Sequence, residues 1–496
     1  MRRASLLLVL LAVGPASAGV RSTAPGIVDG VASGDVSSTS AVVWARADRS
    51  ATMHVQLRIG SRVVRRATGH ATTGTDDTAQ VRFAALAPGR RYSYRAWFGA
   101  AASAAQTGSF RTPPAAGQKP RTLTLVVGAD LGGQSRCRNV AEGGYRIFEQ
   151  IARVRPDGLI ANGDLIYADG TCPAAGPAWT NVPGDFPSDL DVDWTDVRAT
   201  DEAVLGHWRY NRADPYLQAL LRTTPVYAQW DDHEVANDFG APWTYWNVDT
   251  TKAGYPNLVA AGRRAFFDYW PIARNRTEPN RVYRSFRLGR DAALFLLDAR
   301  SYRSRNDEAD LPSNRKALLG PAQVVWLERS LARSTATWKL VSIDVPLFIP
   351  TCNARYGCDS YASGGGQTGF ERELLPLLTY LDRHRVRNVV FLTTDVHYAR
   401  TLRAVVDPNR DGRPLVLYEL VSGPLSAIAL PVGELDSDVA GTPVKIDSLY
   451  AEGGIYNFEV VRIRRRADGK AHLVADVRGA DGQVRSGSVL DLTPAG

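Results

Sequence analysis

Leu159-Ile160-Ala161-Asn162-Gly163-Asp164-Leu165-Ile166-Tyr167-Ala168-Asp169 opens as a short apolar run and breaks at a polar turn. Gly158 to Ala161 shows no alternation, as expected of a strand covered on both faces. Around it, Leu123 to Gly128 reads as another buried strand, Tyr145 to Val154 as a helix and Gln323 to Arg333 as a second helix. Trp338 to Val345 and Val389 to Thr394 are further strands. Strands and helices that alternate in this way predict an α/β layered domain.

The strand ends carry the chemistry. Val126-Val-Gly-Ala-Asp130-Leu-Gly-Gly-Gln134, Val226-Tyr-Ala-Gln-Trp230-Asp-Asp232-His233-Glu-Val-Ala-Asn237, Leu340-Val-Ser-Ile-Asp344-Val-Pro and Val389-Val-Phe-Leu-Thr-Thr-Asp395-Val-His397 all finish in oxygen or nitrogen donors. Singly, such an Asp is an ordinary cap, His233 or His397 a structural histidine and Tyr167 a packed aromatic. Jointly they mean more, because strand C-termini of an open α/β layer converge on one crevice. These motifs contain no Lys or Arg, so their carboxylates would repel one another unless cations sit among them. A binuclear metal site is the predicted solution.

Residues 25–113 carry a different signal. Ala41-Val-Val-Trp-Ala45, Met53 to Ile59 and Tyr92-Ser-Tyr-Arg-Ala-Trp97 read as short strands, separated by turns such as Leu86-Ala-Pro-Gly89. This spacing predicts a β-sandwich of about 90 residues. A linker at 114–120 follows, leaving 121–496 as the catalytic domain. From about residue 414 strands return with turns at Asp468-Gly469 and Asp481-Gly482. They are expected to complete the second sheet of that domain, a separate unit being the alternative.

With 496 residues, 44% hydrophobic and 22% charged, the chain is neither disordered nor fibrous and holds two or three domains. Met1-Arg2-Arg3, the apolar run Leu6 to Val13 and Pro15-Ala-Ser-Ala18 predict a signal peptide over 1–18, too short to span a bilayer. Its removal would take the net charge from +8 to +6. The paired arginines suit the twin-arginine route and the leucines the general secretory route, so a periplasmic or extracellular destination is expected by either. Arg462, Arg464, Arg465 and Arg466 read as a solvated strand end, and no nucleic-acid partner is expected. In an exported chain Cys137, Cys172, Cys352 and Cys358 suggest disulfides. Three connectivities are open; Cys137–Cys172 and Cys352–Cys358 are expected because each pair brackets a loop, with a ligand role for one of them the alternative.

The strand-end motifs resemble those of the calcineurin-like metallophosphoesterases. Asp130-x-Gly, Gly163-Asp164-x-x-Tyr167, Asp232-His233-Glu234 and Val396-His397 are similar to the purple acid phosphatases. Trp230-Asp-Asp-His-Glu-Val-x-Asn237 and Asp395-Val-His397 are similar to the alkaline phosphatase D (PhoD) family, as are Gly30-Val-Ala-Ser-Gly-Asp35 and Val42-Val-Trp-Ala-Arg46. Leu86-x-Pro-Gly-x-x-Tyr92-x-Tyr94 resembles the turn and strand of fibronectin III/Ig-like modules. The resemblance covers nearly the whole chain after the leader and implies a four-layer αββα domain behind the sandwich. It implies that Asp130, a bridging Asp164, Tyr167 and His397 hold a first metal, a set suited to Fe(III). Asp164, Asp232, Asp344 and Asp395 would hold the second. Related enzymes have Asn or His at several of these places; four carboxylates favour Ca(II) over zinc, with other divalent metals possible. Some PhoD relatives place a cysteine at the first strand end, where this chain has Asp130.

The implied chemistry is hydrolysis of a phosphate ester by a metal-activated water. His233 is expected to protonate the leaving group, and Gln134, Asn237 and Arg209 are candidate phosphate donors, with a surface ion pair the ordinary alternative for Arg209. The loops at 171–198 and 240–260 are expected to govern access. A secreted phosphomonoesterase is the expected function. The alternatives are a phosphodiesterase (phospholipase D-like, or acting on a cell-wall polymer) and a surface-binding protein, against which the intact Asp164 and His233 argue. No Gly-x-Ser-x-Gly elbow occurs, which disfavours a serine hydrolase.

Overall fold

A computed structural model describes residues 24–100, 102–118, 121–240 and 252–495; the leader expected at 1–18 and part of the loop at 240–260 lie outside the described residues. The apolar runs become the centres of two sheets. Leu123–Gly128, Gly158–Asn162 and Val226–Gln229 pair in parallel, the last two buried at every residue. On one side the sheet continues through Asn457–Arg465, Ala471–Gly479 and Leu490–Leu492. On the other it continues through Ile27–Gly34, Ala41–Ala47 and Thr78–Phe83, for nine strands. The second sheet has eight strands, with a parallel centre of Ala292–Leu296, Trp338–Ser342, Val389–Thr393 and Leu415–Val421.

Alternate residues of these strands enter different cores, as the pleat requires. Val126, Leu159 and Ala228 pack with the helices Ile147–Val154, Val197–Arg212, Pro215–Leu221 and Tyr255–Tyr269. Leu125, Val127, Ile160 and Tyr227 pack instead against Leu294, Leu340, Val390 and Leu420 of the second sheet. The helices Gly320–Arg333 and Glu371–Arg383 join the core on the other face of that sheet. Local chemistry starts the helices: Asp196 accepts from the backbone N–H groups of Arg198 and Ala199, and Asp214, ahead of Pro215, accepts from those of Tyr216 and Leu217.

Two buried amides fasten the sheets at the edge where their parallel strands end. Asn162 Nδ2 donates to the carbonyls of Ile343 (3.1 Å) and Leu392 (3.3 Å), and its Oδ1 accepts from Ser342 Oγ (3.0 Å). Its register neighbour Gln229 donates through Nε2 to Leu297 (2.8 Å) and Ser342 (3.0 Å) carbonyls.

The structure departs from the sequence expectation at both ends of the chain. The C-terminal strands do not all complete the second sheet: Leu415–Val421 and Thr442–Glu452 do, but Asn457–Arg465 and its successors extend the first, beside Leu123–Gly128. Near the N-terminus, three strands belong to the nine-stranded sheet and four (Ala51–Ile59, Arg62–Ala71, Arg91–Phe98, Gln106–Arg111) form another. Val31, Val43, Met53, Tyr94 and Phe110 share one core between them. Gly34 pairs with Val226, and Trp44 Nε1 donates to the Asp268 carbonyl at 2.7 Å, so this region is spliced into the α/β body. No helix of the described residues is long and apolar enough to cross a membrane.

Asn162→Leu keeps the bulk but strips Ile343, Leu392 and Ser342 of a buried partner. It is expected to destabilise the fold by about 3 kcal/mol, read as a lower urea midpoint at unchanged slope.

Candidate metal centre

Residues after the strand ends turn sharply. Asp130, Asp164, Asp395 and His397 have φ of 55°, 53°, 76° and 59°, the left-handed region that Asp and His tolerate better than bulkier residues. Two glycines make room for these turns. A Cβ on Gly163 would lie 2.4 Å from Asp231 Cβ, and one on Gly133 would lie 2.0 Å from Tyr167 Cβ.

The turns bring donors from both sheets together. Asp130, Asp164 and His397 offer ligand atoms within 4.8 Å of one another; so do Asp164, Asp232 and His233, and so do Asp231, Asp232 and Asp395. Asp164 and Asp232 are each shared between sets. The Tyr167 hydroxyl is 3.2 Å from His397 Nε2, and its ring centroid is 4.1 Å from that of His233. His397 Nδ1 donates to the Ile428 carbonyl, which fixes the tautomer and leaves the Nε2 lone pair to accept from the Tyr167 hydroxyl, 4.0 Å from Asp130 Oδ1. Asp130 accepts from Thr394 Oγ1 through Oδ2 (2.9 Å), while its buried Oδ1 has no hydrogen-bond partner.

His233 is held from two directions. Its backbone N–H donates to Asp164 Oδ1 (3.1 Å) and Asp232 Oδ1 (3.0 Å), and its Nδ1 faces Asp169 Oδ1 at 2.6 Å. Asp169 is itself steadied by the Asn237 backbone N–H at 2.9 Å. Burial works against a charged imidazole, but Asp169 and Asp232 outweigh it and push the His233 pKa up to about 10.

Burial, reinforced by neighbouring acids, pushes the carboxyls of Asp164 and Asp395 well above their ordinary range. Asp231 is raised likewise, against the pull of Arg300. Arg300 is the part that the sequence reading missed. Fully buried, it grips Asp359 with both terminal nitrogens (2.9 and 2.8 Å), and its Nε donates to Asp231 Oδ1 (2.6 Å) and Asp344 Oδ2 (3.1 Å). A signal for it existed: Ala292 to Leu297 is one more apolar run, ending in Asp298-Ala-Arg300. Asp298 Oδ1 accepts from Trp230 Nε1 (2.9 Å) and from the Arg300 backbone N–H (3.2 Å), joining two strand ends. Glu234 was read only as a motif letter, yet its carboxylate accepts from the backbone N–H groups of Asp164 (3.0 Å), Leu165 (2.8 Å) and Asp231 (2.7 Å).

The remaining candidates are placed unequally. Asp344 reaches the centre's edge, where Arg300 occupies one oxygen and Oδ1 is left without a hydrogen-bond partner. Asn237 is half-buried beside Asp169, and Gln134 is exposed with φ 51°. Arg209 is not brought to the cluster: on the Val197–Arg212 helix its guanidinium is held by Asp76 (3.3 Å) and Glu202 (2.7 Å), so its ion-pair reading replaces the phosphate-donor one. Cys137 is bonded to Cys172 and Cys352 to Cys358, which removes thiolates from the ligand set.

The donor set fits metal ions. Among the described residues, Asp130 Oδ1, Asp231 Oδ2 and Asp344 Oδ1 are buried oxygens without a hydrogen bond, and His397 Nε2 has only the Tyr167 phenol to accept from, a pair that could turn together onto a metal. Such unpaired oxygens are costly unless cations compensate them, and the oxygen-rich composition suits hard ions.

The comparisons with known proteins agree. Residues 133–457 match the profile of the PhoD-like phosphatases, and residues 14–114 that of the PhoD-like phosphatase N-terminal domain. Alkaline phosphatase D of Bacillus subtilis (strain 168) is 26% identical over 428 residues, covering 79% of this chain and 68% of that protein. A solved structure of PhoD superposes with a TM-score of 0.73 at 19% identity, covering 97% of this chain and 94% of the other. Purple acid phosphatase PPD1 from yellow lupin (Lupinus luteus) seeds gives 0.60 at 13%, covering 95% and 74%. At these identities the two structures establish the likeness of fold.

Arg300→Met would leave Asp231, Asp344 and Asp359 without their shared cation. It is expected to lower stability by about 3–5 kcal/mol, with the loss in melting temperature larger in chelator than in calcium.

Proposed function

The chain belongs to the PhoD-like phosphatases and is a metal-dependent phosphoesterase, and we propose that it is an exported enzyme hydrolysing phosphate monoesters at the Asp164 centre. The observation that carries this reading is the Asp164 carboxylate, which offers ligand atoms within 4.8 Å of those of Asp130 and His397 and also of Asp232, as a carboxylate shared between two ions would. In this reading Asp130, Asp164, Tyr167 and His397 would hold Fe(III), and Asp164, Asp232 and Asp395, with Asp344 at the edge, would hold Ca(II). The same reading takes residues 25–113 as a β-sandwich and 121–496 as a four-layer αββα domain, behind a leader at 1–18 and a linker at 114–120.

When bound, the two ions would polarise the phosphoryl oxygens and acidify an attacking water. The protein's own groups do the rest. Glu234 and the His233 backbone N–H fix the Asp164 turn and carboxylate, so a phosphate meets a preset frame. His233 keeps its proton through Asp169 and Asp232 and would deliver it to the departing alkoxide. Asn237 and Gln134 stand as donors for the remaining phosphate oxygens.

Three measurements on the exported protein test the proposal. Iron and calcium should co-purify with a visible absorption band that Tyr167→Phe abolishes, and chelator should remove hydrolysis. His233→Gln should lower kcat by about a hundred- to ten-thousand-fold on alkyl phosphates and far less on a nitrophenyl ester, with metal content unchanged. A faster rate on diesters than on monoesters would transfer the assignment to a phosphodiesterase. A colourless protein that stays inactive after iron and calcium are supplied would overturn the catalytic reading.

A further inference from the structure

At the opposite ends of the central strands lies a second cleft. Asp157 precedes Gly158–Asn162 and Pro225 precedes Val226–Gln229, whereas the metal ligands follow these strands. A five-residue strand spans about 17 Å, so this cleft is separated from the centre by the body of the sheet. Its volume is about 480 Å³, the size of a small-molecule site rather than of a single ion.

The walls of the cleft are cationic. Arg91, Arg111, Arg121 and Arg155 line it, all exposed, and Asp157 is the one carboxylate among the described lining residues. Asp157 is engaged by the Arg121 guanidinium and the Thr124 backbone N–H (3.0 Å), although Arg111 lies close enough to feel its charge. Arg91 and Arg111 stand directly opposite each other on adjacent strands. Like charges in that position destabilise a sheet, and the hydrogen bonds these two make are to neutral groups, Ser109 Oγ (3.2 Å) and the Gly89 carbonyl (3.1 Å). Arg155 does not serve to cap its helix through its side chain; its backbone N–H does so, donating to the Ala152 carbonyl. Three guanidiniums from three segments thus face one space with donors to spare.

We propose that this cleft binds an oligophosphate, an anion carrying several phosphate groups along one chain, away from the metal centre. Guanidinium forks match phosphate oxygens in pairs. A ligand with successive phosphates relieves the Arg91–Arg111 repulsion and reaches Arg155 together, which one phosphate in a cleft of this size does not. The inference stands independently of the catalytic reading, because it concerns binding at the other end of the sheet.

The test uses the full chain and inorganic polyphosphate as the probe, with orthophosphate and polyglutamate as comparators. Wild-type protein should bind polyphosphate in a salt-dependent way and more tightly than either comparator. Arg91→Gln combined with Arg155→Gln should weaken binding about tenfold or more and lower the slope of log K against log salt by about one to two. Its kcat/KM on a small phosphate monoester should stay at the wild-type value, and its melting temperature should not fall below the wild-type one, since Arg91→Gln relieves the repulsion from Arg111. A control for net charge, Arg315→Gln with Arg329→Gln, should leave binding intact. Unchanged affinity in the cleft variant, or an equal loss in the control, would overturn the site. Equal binding of polyglutamate would overturn the phosphate assignment.

Discussion

Carboxylates buried from two sheets at one point repel one another through a medium that screens poorly, and much of the molecule is arranged around that repulsion. Asp164, Asp231 and Asp395 resist ionisation because each is both desolvated and surrounded by acids. Arg300 answers part of the problem by holding Asp231, Asp344 and Asp359 together on one flank. Among the described residues, no such guanidinium hydrogen-bonds the other flank, with Asp130, Tyr167 and His397. The centre is therefore divided: one side is neutralised by the protein itself, and the other depends on what binds there.

Ligands drawn from separate sheets are useful only if the sheets cannot slide. The apolar contact of Leu125, Val127 and Ile160 with Leu340, Val390 and Leu420 supplies cohesion but little register, since such surfaces tolerate small shifts. Register comes from the directional bonds of Asn162, two residues before Asp164, and Gln229, three before Asp232. Glu234 does the same for the turns, tying the Asp164 and Asp231 backbones to one carboxylate. Its own pKa is raised by burial to about 7.

The candidate ligands were legible because each sits where an apolar run stops, a pattern that survives without knowledge of the rest of the chain. Asp130, Asp164, Asp232, Asp395 and His397 all belong to this class. Arg300 and Asp359 were not, since their meaning lies in each other and in Asp231, far apart in sequence. The helix at Val197–Arg212 escaped notice for a related reason: its buried face includes Thr200, His207, Asn211 and Arg212, so its apolar period is blurred. Arg212 is stacked on Trp44 at 3.9 Å, a partner that sequence spacing does not reveal. The C-terminal strands were read correctly as strands, but which sheet they join is decided by pairing with Leu123–Gly128, and strand pairing leaves little trace in a single sequence.

The interleaving of distant segments in the nine-stranded sheet also governs how the chain comes into being. Gly34 pairs with a strand made about 190 residues later, and Leu123–Gly128 waits for Asn457–Arg465, made about 330 residues after it. Long-range pairing of this kind delays folding, because the loops must close before any contact rewards them. The sheet has no complete version until Asn457–Arg465 and the two strands beyond it have been made. Until those strands arrive, the unpaired edge of Leu123–Gly128 stays open to wrong partners and needs shielding.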